Sequence, residues 1–131
     1  MKKHKGFTDL EVYRECRKFR KEVSEIVKDY FPKKEQYLLS AQILDAARSV
    51  TANIAEGHGR FYYQDNIKFC RNARGSLEEA LEHLITTYDE KYIDTTLLKK
   101  EKVQYEICLK LINGYIRYLR NSKRGKADDE S

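Results

Sequence analysis

The chain has 131 residues, 26 of them Lys or Arg against 21 Asp or Glu, for a net charge of +5. That length predicts one domain, burying roughly two-thirds of its unfolded surface on folding. No apolar run reaches the roughly 18 residues of a membrane span, and the basic start Met1-Lys2-Lys3-His4-Lys5-Gly6 lacks the apolar core of a signal peptide. One proline and six glycines point to long helices and away from a β-sandwich.

After a basic arm over residues 1–6, Thr8 or Asp9 is placed to cap a first helix, with Asp9 and Glu11 near its positive end. Its apolar stripe is Val12, Cys16, Phe19, Val23, Ile26 (or Val27) and Tyr30, and Pro32 ends it near Tyr30 or Phe31. The short link makes the next helix an antiparallel neighbour. That second helix is predicted from about residue 34 to 55 or 56, about 33 Å long. A third begins near Gln64 or Asp65, with Ile67, Cys70, Arg74, Leu77, Leu81, Leu84 and Tyr88 on one stripe and Phe69, Ala73, Ser76 and Ala80 on another. Thr95 or Thr96 caps a fourth, predicted over residues 97–120 and carrying Leu98, Tyr105, Cys108, Leu111, Ile112, Tyr115, Ile116 and Leu119. From Asn121 the apolar content is lost and a disordered charged tail is expected over residues 121–131. The predicted fold is an all-α, antiparallel up-down-up-down four-helix bundle over residues 7–120.

Residues 42–59 (QILDAARSVTANIAEGHG) are the most constrained stretch. Ile43, Ala46, Ala47, Val50, Asn53, Ile54 and Gly57 share one helix face. Small residues dominate, so neighbours can approach closely. Gly57 and Gly59 are expected to stop the helix through a left-handed turn. Gly75 and Ser76 are read as a second point of close helix contact. Asn53 lies on the apolar face, Glu56 borders it, and Arg74 sits on the stripe of the third helix. Buried charge needs a partner. The expectation is therefore a structural polar network in which Glu56 pairs with Arg74 or Arg60 and Asn53 bonds across the second and third helices.

Catalytic and metal readings fare poorly. A di-iron bundle needs Glu-x-x-His pairs on two helices, whereas Glu79 and Glu82 stand four and one residues before His83, with no second copy. The run Gly57-His58-Gly59-Arg60 follows a helix and lacks a nucleotide loop's Gly-Lys-Ser/Thr ending. Cys16, Cys70 and Cys108 are odd in number, widely spaced and on apolar stripes, which favours buried thiols in a reducing cytoplasm over disulfides or zinc. No enzyme, metal or cofactor is expected.

Basic residues gather at Arg14, Lys18 and Lys21 on the first helix, interspersed with Glu15, Glu22 and Glu25, and more cleanly at Arg117, Arg120, Lys123 and Arg124. Tyr115 and Tyr118 beside the second group can stack on unpaired bases, although tyrosines at helical spacing more often pack in a core. Both groups are candidate nucleic-acid-binding residues. Apolar residues beyond one stripe on the first, third and fourth helices point to self-association.

Several strings carry a family resemblance: Phe7-x-Asp9-Leu10-x-Val12-Tyr13, Phe31-Pro32-x-x-Glu35, Ala52-Asn53-Ile54-Ala55-Glu56-Gly57 and Ala73-Arg74-Gly75-Ser76-Leu77. They resemble the bacterial four-helix-bundle proteins encoded by intervening sequences of large-subunit ribosomal RNA genes, related to the accessory variability proteins of diversity-generating retroelements. The resemblance implies a homopentameric barrel without catalytic residues. For the retroelement branch it implies binding of nucleic acid and of the reverse transcriptase through a basic surface. Leu44 and Asp45 stand where relatives commonly carry basic residues, and Tyr62-Tyr63-Gln64-Asp65 replaces a serine-rich cap; both weigh against an RNA surface on the second helix. The expected function is non-enzymatic RNA binding by a cytoplasmic oligomer that does not enter a membrane, with a protein–protein scaffold as the alternative.

Overall fold

In the computed structural model, which describes residues 6–122, the 3.6-residue repeats become four helices. A 3-10 turn at Phe7–Asp9 leads into α1 (Glu11–Tyr30). A second such turn at Lys33–Glu35 precedes α2 (Leu39–His58), followed by α3 (Tyr63–Asp89) and α4 (Thr95–Arg120). Each helix packs on its neighbours in sequence, and α1 closes the ring against α4. Connections of four to eight residues force consecutive helices to alternate in direction, which makes an up-down-up-down bundle.

The core runs the length of the ring. Phe19 and Val23 of α1, Ile43, Val50 and Ile54 of α2, Leu77 and Leu84 of α3, and Ile112 and Leu119 of α4 are almost fully buried. Cys16, Cys70 and Cys108 are free and buried among them. Burial pushes the Cys70 thiol up to about 12. A hydrogen bond with Cys108 and burial push Cys16 up as well. Thiols held protonated in this way are poor nucleophiles.

Helix boundaries differ from expectation for local reasons. No side chain caps α1; the backbone enters it through extended Leu10. α2 starts later than residue 34 because the turn after Pro32 intervenes, and the Leu39 amide donates to Glu35 Oε1 at 3.3 Å. Asp94, and not Thr95 or Thr96, caps α4: its Oδ1 accepts from the Leu97 amide at 2.9 Å.

The glycines reverse their expected roles. α2 continues through Gly57 and His58, and Gly59 caps it at φ −77°. No described glycine has positive φ, so a left-handed stop is not what this stretch needs. Gly57 instead admits α3. A Cβ there would lie 2.6 Å from Asn66 Oδ1 and 2.8 Å from Phe69 Cβ. Gly75, expected at a helix contact, faces open space with nothing within 4 Å of an added Cβ. It stands two positions from each of the buried Ala73 and Leu77, on the opposite side of the helix.

The third helix also buries a different face from the stripe read off its larger residues. Ala73 and Ala80 join Cys70, Leu77 and Leu84 in the core, Ile67 and Leu81 are half-buried, and Tyr88 is exposed. α3 packs on α2 and α4 together, so its buried arc spans both sequence stripes.

Opposite outcomes are expected at the two glycines. Gly57→Ala overpacks the α2–α3 contact and should lower stability by about 1–3 kcal/mol. Gly75→Ala should raise it by up to about 1 kcal/mol through helix propensity. Urea unfolding midpoints of the two variants check both signs.

Candidate nucleic-acid interface

The polar residues inside the bundle are bonded seam by seam. Across α1–α2, Arg20 Nη1 donates to Thr51 Oγ1 at 2.8 Å. Across α2–α3, Ser76 Oγ donates to Ser49 Oγ at 2.8 Å. Across α3–α4, Arg74 Nη1 donates to Asn113 Oδ1 at 2.6 Å and the Tyr105 hydroxyl donates to Glu78 at 2.6 Å. Across α4–α1, Gln104 Nε2 donates to the Glu15 carbonyl at 2.9 Å. Each bond costs little in solvent exchange but would be expensive to leave half-made.

The expected network of Asn53, Glu56, Arg60 and Arg74 is thereby divided. Asn53 Nδ2 donates to the Ser49 carbonyl at 2.8 Å and to Ser49 Oγ at 3.0 Å, within its own helix. Glu56 meets Arg60 at 3.0 Å on the surface, with the guanidinium 4.8 Å above the Phe69 ring. Arg74 turns away from Glu56 because its position on α3 faces α4. The amide that does bridge the buried seams is Asn66, whose Nδ2 donates to the Tyr115 hydroxyl at 3.2 Å while its Oδ1 accepts from the Cys70 thiol at 3.4 Å. Its place on the Cys70 face, i and i+4, was the available sequence signal.

Arg14, Lys18 and Lys21 line a groove of about 530 Å³ between α1 and α4, but Glu22, Glu25, Asp29 and Glu101 line it too. The basic rim therefore stands over an acidic floor. Glu101 is 1% exposed. Burial first, and then the neighbouring Glu22 carboxyl, push it from its ordinary 4.5 up to about 8. Sequence reading missed it because its position in a run of lysines and glutamates looks solvated.

The other group sits in cleaner surroundings. The α1 entry, the α2–α3 loop and the last turns of α4 meet at one end of the bundle, where they line a pocket of about 510 Å³. Tyr115 and Tyr118, three residues apart on α4, stack with centroids 6.2 Å apart and planes at 15°. Tyr63 at the start of α3 lies 6.5 Å from Tyr118. Phe61 and Tyr62 pair edge-to-face in the loop at 4.9 Å. Tyr118 is 60% and Phe61 59% exposed, so much of each side chain is open to solvent. Arg117 and Arg120 are exposed beside them on α4. Lys123 and Arg124, like residues 1–5 of the basic arm and most of the expected tail, lie outside the described residues. Burial raises the Tyr115 phenol, and the adjacent Tyr63 hydroxyl raises that of Tyr118, so both stay neutral donors at neutral pH.

The sequence profile described as "23S rRNA-intervening sequence protein" matches residues 8–114. The chain belongs to that family. A crystal structure of a protein of unknown function from the S23 ribosomal protein family, from Bacteroides thetaiotaomicron, superposes with a TM-score of 0.73. It shares 21% identity, over 80% of this chain and 97% of that one, and bears out the fold. No curated protein matches this chain. For this 23S rRNA-intervening sequence protein, no described helix is long and apolar enough to cross a membrane. Nor, among the described residues, do three or more metal-ligating side chains gather.

The buried acid makes stability depend on pH in a defined direction. Glu101 loses its proton near 4.5 when unfolded and near 8 when folded, so its contribution is complete at low pH and is lost as pH rises between those values. Glu101→Gln should flatten that decline. Urea midpoints at about pH 5 and about pH 8 measure it.

Proposed function

We propose that this protein is a non-enzymatic, cytoplasmic RNA-binding bundle that grips single-stranded or looped RNA at its aromatic end. The observation that carries this reading is the stacked Tyr115–Tyr118 pair with Tyr63 and exposed Phe61, set among Arg60, Arg117 and Arg120. Aromatic faces accept unstacked bases of any sequence, and the arginines supply phosphate contacts that position without specifying. By sequence, Lys123 and Arg124 continue the same basic group, and Lys2, Lys3 and Lys5 precede the α1 entry. The family's 23S rRNA-intervening description is consistent with an RNA partner. A reverse transcriptase is the protein partner if the chain serves a retroelement. The first-helix group Arg14, Lys18 and Lys21 contributes less, because four carboxylates share its groove.

A second reading, assembly through protein contacts, is favoured by Val103 and Ile107, which are 60% and 40% exposed along the outer side of α4. We infer that this stripe joins copies into a homo-oligomer, with a pentamer the form implied by family resemblance. Light scattering reads the assembly, and a Val103→Lys/Ile107→Lys double variant should shift it to monomer.

Gel-shift titration of ribosomal RNA fragments over a salt series tests the RNA reading. Tyr118→Ala should weaken binding about tenfold, in line with about 1–3 kcal/mol per stacked base. Arg117→Ala with Arg120→Ala should weaken it and lower the salt slope by about 1.4. Lys18→Ala should have little effect. No shift at low salt, or binding unchanged in the Tyr118 and arginine variants, sinks the proposal.

A further inference from the structure

Two carboxyls on the α1–α4 seam stand outside the bonding pattern that satisfies the other buried polar groups. Glu101 is 1% exposed, and neither of its carboxylate oxygens finds a hydrogen-bond donor; Glu22 Oε1 on α1 is likewise without one. After burial, the Glu22 carboxyl is the neighbour that acts most strongly on Glu101. Carboxylates only accept hydrogen bonds, so neither can satisfy the other unless one is protonated, and the donor must otherwise come from outside the pair. Both line the α1–α4 groove of about 530 Å³. The rim cations do not supply the missing charge. Lys18 and Lys100 act on Glu101 through space, and the ion pairs among the described residues lie elsewhere, at Glu56–Arg60 and Glu79–His83.

We propose that this groove is a binding site for a small organic cation, a guanidinium or primary ammonium head seated between Glu22 and Glu101. A planar guanidinium presents a fork of N–H donors that matches two carboxylates. No third ligating side chain joins the pair to form a metal site among the described residues. Lys18, Lys21 and Lys100 at the rim repel polycations and limit the occupant to a single positive head. Glu25 and Asp29 lie along the groove to one side, and Arg14 and Arg17 to the other. The proton held by Glu101 and the ligand compete for the same place. Because Glu101 is pushed up to about 8, affinity falls about tenfold for each pH unit below that value.

The test is titration of the full chain with methylguanidinium chloride, followed by calorimetry and by amide NMR shifts. Saturable binding is expected at about pH 8.5 with a Kd near or below about 1 mM, weakening about 20-fold at about pH 6.5. Glu101→Gln should abolish it while melting no lower than the parent. Glu22→Gln, on the groove wall, should weaken it at least about tenfold and guards against a folding defect at the buried position. No saturation by about 50 mM at the higher pH, equal binding to Glu101→Gln, or absence of pH dependence overturns the proposal. So does a parent assembly that dissociates on Glu101→Gln, since the cation would then be a side chain of a second copy. RNA binding at the far end should be unchanged in both variants, so this result and that of the proposed function stand separately.

Discussion

The close approach of α2 and α3 at Gly57 is the constraint on which the rest of the bundle depends. Where a Cβ would collide with Asn66 and Phe69, hydrogen at that position lets α3 begin hard against the last turn of α2. That contact fixes the height of α3, and with it the level at which Ser76 reaches Ser49 and Asn66 reaches Tyr115. It also sets where the α2–α3 loop ends. The loop carries Phe61 and Tyr62 to the same end as Tyr115 and Tyr118. A packing requirement in the core thus places the aromatic surface.

Polar bonds across all four seams do a different job from the apolar core. Leu, Ile and Val side chains would accept several rotations and slides of one helix against another. A donor and acceptor at 2.6–2.9 Å, such as Arg74 with Asn113 or Gln104 with Glu15, accept few. The bonds therefore select one register among many compact ones, as a polar core position does in coiled coils. Glu22 and Glu101 are set apart from this pattern because two acceptors meet without a donor.

The two ends of the bundle are chemically unlike. At the α1–α2 and α3–α4 turns, the Tyr92 hydroxyl donates to Glu35 at 2.7 Å, and that bond raises the phenol to about 12. Glu35 also holds the start of α2, so one carboxylate ties two turns together. The opposite end carries exposed Phe61 and Tyr118 beside exposed Arg117 and Arg120.

Much was legible in the sequence because it depends on local periodicity. The four helices, their alternation and the burial of Phe19, Ile43, Ile54, Leu77 and Ile112 follow from apolar residues three and four apart and from short links. The family strings were legible as well, since they lie in the chain and not in space. What only the tertiary structure decided was the partner of each polar side chain. Arg74 was readable as a residue needing a partner, but Asn113 lies 39 positions away, and no spacing rule spans that distance. The glycines were misassigned for the same reason: nothing along the chain shows that the neighbouring helix crowds Gly57, read as a stop, and leaves Gly75, read as a contact, in the open. Glu101, flanked by lysines, was indistinguishable from a solvated glutamate until α1 closed over it. Helix formation is set by neighbours along the chain, whereas burial, pairing and proton affinity are set by neighbours across it.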